Sequence, residues 1–144
     1  MKRIGIIILM MLAMVLLHSC ENVFHNDKLD FLWRLDSVEY TDGVDFNGKT
    51  CSIECPEGGW FSFARDLVRV EDKRSGFCVI GVLTDQGGQL TFDFTMYEDE
   101  KWGTEYGLRQ MGIESKVTSF RVTQLNGKEL VLTGTKTILR FTKW

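Results

Sequence analysis

Apolar and polar positions divide the chain into two unlike parts. Lys2 and Arg3 precede a charge-free apolar run from Ile4 to Leu17, which ends in His18-Ser19-Cys20. That run is 14 residues long, and as a helix it would span only about 21 Å. A bilayer core of about 30 Å needs roughly 20 residues, so a permanent transmembrane helix is disfavoured. A basic start, a short apolar core and a small residue before a cut are the parts of a secretory signal. Glu21 to Asp30 (ENVFHNDKLD) then shows no period and reads as a polar tether.

From Phe31 the period becomes two. Leu32 to Thr41 carries Trp33, Leu35, Val38 and Tyr40, an alternation that slips once, as at a β-bulge. Asp42-Gly43 and Asn47-Gly48 are turn dipeptides, and a short segment from Lys49 to Cys55 runs to Pro56, the only proline. Trp60 to Glu71 reads as one long strand, with Asp72 to Gly76 as the loop after it. Phe77 to Thr84 is apolar on both faces, which predicts a strand covered on both sides. After Gln86-Gly87-Gly88, Gln89 to Met96 alternates with Leu90, Phe92, Phe94 and Met96 inward. Lys116 to Leu125 places Phe120 and Val122 on one face, and Asn126-Gly127 is the strongest hairpin signal in the chain. Glu129 to Thr133, a Gly134-Thr135 turn and Thr137 to Lys143 complete the pattern.

About eight strands joined by short turns, with no long crossover helix, predict an all-β antiparallel sheet. An up-and-down meander closed into a barrel is the economical form, because closure removes exposed edges. A two-sheet sandwich is the alternative. Tyr97 to Glu114 interrupts the pattern. Gly103, Gly107 and Gly112 argue against a stable helix there, and a long irregular loop in a small domain is often functional.

Composition matters once the chain is split at Cys20. Removing the first 19 of 144 residues leaves 125, and takes away Lys2 and Arg3 but no acid, moving the net charge from −3 to −5. A nucleic-acid surface would need a basic face, so no nucleic-acid partner is expected. The two histidines are His18, in the signal, and His25, in the tether. With no histidine left for a folded domain, a Ser-His-Asp triad or a His-ligated metal site is excluded there. Phosphate-loop, dinucleotide and nucleophile-elbow motifs are also missing. No catalytic residue, metal site or cofactor is therefore assigned, and an enzyme is not expected. A hydrolase built on two of the many carboxylates is the distant alternative.

Cys51, Cys55 and Cys78 cannot all pair with one another, and the reading adopted is three buried free thiols. Cys51–Cys78 and Cys55–Cys78 remain the easier disulfides, since residues four apart in a strand lie about 13 Å apart. Glu98-Asp99-Glu100 is acidic enough to attract Ca²⁺, although a solvated loop explains it as well.

Two resemblances sharpen this reading. Leu17-His18-Ser19-Cys20 resembles the lipobox of bacterial lipoproteins at Leu17, Ser19 and Cys20, with His18 a less usual occupant of its position. The resemblance implies lipid attachment at Cys20, cleavage before it and acylation of the new N-terminus. With each buried CH₂ worth about 0.8 kcal/mol, two or three chains anchor a protein essentially permanently. Further on, the strand Phe31 to Tyr40 is similar to the first strand of lipocalin-like lipoprotein domains of Gram-negative bacteria. So are Tyr106-Gly107, Met111-Gly112-Ile113, the Leu125 to Leu132 hairpin and the ending Leu139 to Trp144. Phe31 stands where such domains usually carry glycine. This second resemblance implies an eight-stranded calyx, and in such barrels a last-strand basic residue packs on the first-strand tryptophan, with Arg140 the candidate for Trp33.

The resulting expectation is a signal peptide over residues 1–19, a lipidated tether over 20–30 and a lipocalin-like barrel over 31–144. The protein would sit in the cell envelope on the outer membrane, held through Cys20. A small apolar ligand is expected in the calyx, lined by Trp33, Phe63, Phe92, Phe94 and Phe120, with Trp102 and Tyr106 over its mouth. The alternative is a filled barrel that docks another envelope protein through its surface.

Overall fold

The computed structural model describes residues 28–96 and 103–144. The signal segment, Cys20, most of the tether, Glu98-Asp99-Glu100 and Trp102 therefore lie outside the described residues. Alternation of large apolar residues with polar ones produces β1 (Leu32–Tyr40), β2 (Ile53–Glu54), β3 (Gly59–Ala64), β4 (Leu67–Asp72), β5 (Phe77–Gln86), β6 (Gln89–Asp93), β7 (Val117–Leu125), β8 (Glu129–Thr133) and β9 (Thr137–Lys143). One helix, α1 (Thr104–Gln110), lies between β6 and β7. Strands pair antiparallel with their neighbours, and β9 returns to β1 along Trp33↔Lys143 to Tyr40↔Thr137. β2 and β3 share one edge of β1, so the closed sheet is an eight-stranded barrel. Among the described residues, closure leaves no long unpaired edge, as the strand count predicts.

The slip in β1 is a real bulge. Its register against β9 shifts between Leu35 and Ser37, which keeps Trp33, Leu35, Val38 and Tyr40 all facing inward. The displaced Asp36 carboxylate accepts a hydrogen bond from the Thr142 hydroxyl on β9.

Five expectations are corrected. Trp60 to Glu71 is two strands joined at Arg65-Asp66, where Arg65 takes φ +56° without glycine. This turn is fixed from outside, by Arg65 N–H donating to Asp30 (3.2 Å) and Leu83 N–H to the Asp66 carbonyl (2.7 Å). Met96 faces solvent, because β6 ends at Asp93. The outer face of β5 is uncovered, with Ile80 and Val82 each 44% exposed beside Leu67 on β4. Residues 104–110 form a helix despite their glycine. None of the three thiols is buried: Cys51 and Cys78 are half-buried, Cys55 is exposed, and all are free. Cys78 points outward, where its sulfur accepts a hydrogen bond from Arg69 Nε at 3.3 Å.

Aromatic rings fill the middle of the barrel. Phe92 sits with its centroid 5.8 Å from Phe63, 6.3 Å from Phe94 and 5.3 Å from Phe120. Phe61 links Phe63 to Phe141, at 6.4 and 4.9 Å. Leu29 closes one end: it is 2% exposed, and its carbonyl accepts the Trp33 indole N–H at 3.0 Å. The core thus begins at Leu29, two residues before the expected domain start.

The two barrel ends differ. Residues 28–31 enter beside the β3–β4, β5–β6 and β7–β8 turns. The opposite end carries the β1–β2 and β4–β5 connections, the segment around α1 and the β8–β9 turn. A strand of nine residues at about 3.3 Å each, tilted by about 40°, separates the ends by roughly 20 Å.

A cleft at the end remote from the tether

Three stretches far apart in sequence meet at this remote end: Glu54 to Glu57, Asp72 to Phe77, and Tyr106 to Met111. They enclose a cleft of about 500 Å³, within the usual range for small-molecule sites.

The first wall exists because Pro56 has no N–H to give to the ladder. Between the pairs Arg34↔Trp60 and Val38↔Glu54, five residues of this strand oppose three of β1, and residues 55–58 bulge outward. Gly58 takes φ +105°, and its carbonyl accepts the Lys73 N–H at 3.0 Å, tying the bulge to the β4–β5 turn. That turn is the second wall. The Asp72 carboxylate accepts the Arg74 N–H at 2.9 Å, and the Arg74 guanidinium lies 3.2 Å from Glu57 across the gap. Both Arg74 and Glu57 are exposed, so this pair contributes little to stability.

The third wall is α1. Gly103 (φ +73°) precedes it and Gly112 (φ +79°) follows it. Its last turn is closed by Gly112 N–H to the Arg109 carbonyl (3.1 Å) and Ile113 N–H to the Leu108 carbonyl (3.0 Å). The buried Thr137 hydroxyl then donates to the Gly112 carbonyl at 2.8 Å, fastening the helix exit to β9. Leu108 and Ile113 are fully buried and plug the barrel. Gly107 lies directly on the Phe77 ring, so close that an added Cβ would overlap it. The same close fit recurs at Gly59, where a Cβ would come within 2.9 Å of Met111 Sδ. Phe77 and Met111, each 3% exposed, form an apolar floor, while Tyr106 stands 59% exposed at the rim.

Glu54 is held in place by the Tyr40 hydroxyl, which donates to it at 3.0 Å. Burial and then the adjacent Glu54 carboxylate raise the Tyr40 phenol far above its ordinary value, so it remains a neutral donor. Burial, followed by Glu54, also raises the Cys51 thiol. Cys51 is thus a poor nucleophile in its place against the core.

The residues expected to line a calyx are brought together, but as packing. Trp33, Phe63, Phe92, Phe94 and Phe120 are at most 2% exposed. None of them lines the cleft, and Phe120 alone borders a smaller cavity of about 170 Å³ near Phe46 and Lys136. Tyr106 is the expected mouth residue that does reach the cleft. Arg140 is not the partner of Trp33: it opposes Ser37, faces outward and pairs with Glu39 at 3.4 Å. The last-strand cation opposite Trp33 is Lys143, whose ammonium lies 3.1 Å from the Phe31 ring centroid. Sequence reasoning missed Pro56, Asp72, Arg74 and Phe77 as neighbours. The sole proline beside two glycines was the one available sign of a break there.

A closed eight-stranded antiparallel barrel with a plugged axis and a helix across one end defines a small lipocalin-type protein. The chain belongs to the lipocalin-like domain family, whose model matches residues 13–144. Two crystal structures are similar, each with TM-score 0.59, covering 81% of this chain and 99% of theirs. One is a lipocalin-like protein from Bacteroides uniformis (17% identity), the other an uncharacterized protein from Bacteroides eggerthii (15%). No curated protein matches.

Proposed function

We propose that this is a lipid-anchored, non-enzymatic binding protein of the cell envelope, held on the outer membrane through Cys20. Its small-molecule site is the cleft at the remote end. The observation that carries the reading is the cleft itself: about 500 Å³ with an apolar floor of Phe77 and Met111, while the barrel axis is occupied by phenylalanines packed ring against ring. An amphipathic molecule with an apolar part fits this lining better than a purely apolar one, because Glu54, Glu57, Asp72 and Arg74 ring the floor. The chain enters the barrel at residues 28–31, at the end opposite the cleft.

The second reading, docking of another envelope protein, is favoured by the aliphatic patch of Leu67, Ile80 and Val82 on the outer wall. Native mass spectrometry of the protein extracted from its own envelope tests both. The expected species begins at Cys20, carries acyl chains that Cys20→Ser abolishes, and retains a small molecule. An unmodified Cys20 contradicts the anchor. An empty barrel carrying a protein partner lost on Val82→Lys supports docking instead.

A further inference from the structure

We infer that the cleft selects an organic cation: a protonated amine or quaternary ammonium attached to an apolar body. This rests on the cleft being the ligand site. Among the described residues, three carboxylates line it, Glu54, Glu57 and Asp72, against the single guanidinium of Arg74, a formal surplus of two negative charges. The other nearby cations among the described residues are turned elsewhere. Lys73 places its ammonium 4.2 Å from the Trp60 ring centroid and 4.0 Å from Glu71. Arg109 on α1 donates to the Glu114 carbonyl at 3.2 Å. The remaining lining includes the Cys55 thiol, Ser75 and Gln110, and the Tyr106 phenol ring stands at the rim.

Carboxylates and an aromatic face attract the same kind of group, since the ring quadrupole favours a cation above it. An anion would meet Arg74 only where that side chain is already engaged by Glu57, at 3.2 Å. The apolar floor sets the other half of the specificity: Phe77, Met111 and Pro56 offer carbon and sulfur to a hydrocarbon body. A bare metal ion gains nothing from that floor, and a neutral hydrocarbon gains nothing from the carboxylates.

The test uses three probes with one body and different charge: 4-phenylbutylamine, 4-phenylbutanol and 4-phenylbutyrate. Calorimetry and amide chemical shifts are recorded on the chain from residue 20 onward with Cys20→Ser, which retains every described residue. At neutral pH the amine binds about fivefold or more tighter than the alcohol, and the carboxylate weakest, for a unit charge near a partly solvated surplus. The preference falls in 0.5 M salt, as screening requires. Glu57→Gln narrows the amine-to-alcohol ratio and Arg74→Gln widens it. These two side chains are exposed, so the variants keep the fold. If the alcohol binds in the cleft but the amine has no advantage, or the carboxylate binds best, the cation inference is overturned and the site stands. If none of the probes shifts Phe77, Tyr106 or Met111, the site itself fails, and the inference with it.

Discussion

Gly107→Ala destabilises the protein by about 1–3 kcal/mol, the cost of forcing an extra methyl into a tight contact. The sign is the informative part. In a free helix, alanine is favoured over glycine by about 1 kcal/mol, so propensity alone predicts a gain. Here the added carbon overlaps the Phe77 ring, and either the ring or α1 must move. Urea denaturation of the chain with and without the change measures the effect. Gly127→Ala is the control, because no heavy atom lies within 4 Å of a Cβ built there. Combining Gly107→Ala with Phe77→Leu restores part of the loss, since the two sites are in contact and their costs do not add. A stability gain from Gly107→Ala would show that α1 does not rest on Phe77.

Phe92→Ala has a larger effect, about 3–5 kcal/mol, typical of removing a buried phenylalanine. Phe92 is fully buried and meets Phe63, Phe94 and Phe120 at once. In a domain of this size each kcal/mol lowers the melting temperature by about 4 °C or somewhat less, so a fall of roughly 10 °C or more is expected. The same substitution at a residue lining open space would remove far fewer contacts, because packing density is what the cavity term measures. A loss below about 1 kcal/mol would mean that the barrel axis is hollow at this level.

The barrel was legible in the sequence because its two determinants are local. Period-two alternation marks the strands, and short turns between them leave no route for parallel pairing. Even the β1 bulge could be read, from the spacing of Trp33 and Leu35 against Val38 and Tyr40. The β3–β4 hairpin could not, since the turn at Arg65 depends on Asp30 and on β5 rather than on glycine or proline. The Asn126-Gly127 hairpin was found, but the Asn126 carboxamide organises it, accepting the Lys128 and Glu129 N–H groups at 2.8 Å each. Helix α1 was missed for an opposite reason. Two of its three glycines flank it and the third admits a ring from β5, a contact 30 residues away in sequence.

The candidate site was only partly legible. Aromatic residues identify a core readily, but whether that core is hollow depends on ring-to-ring distances that no pattern supplies. The cleft is assembled from three segments separated by a dozen or more residues each, and only the Tyr106 to Met111 segment stood out in the sequence. Apolar-to-both-faces β5 was read as doubly covered, whereas its outer face forms the exposed patch with Leu67.

Small molecules are proposed to bind across the barrel's remote end and not along its axis. Amide chemical-shift mapping with the neutral probe 4-phenylbutanol tests this most directly. Shifts are expected to concentrate at Arg74, Phe77, Tyr106, Gly107 and Met111, with Phe63, Phe92 and Phe120 unmoved. Shifts centred on those three phenylalanines, with the cleft residues silent, would contradict it.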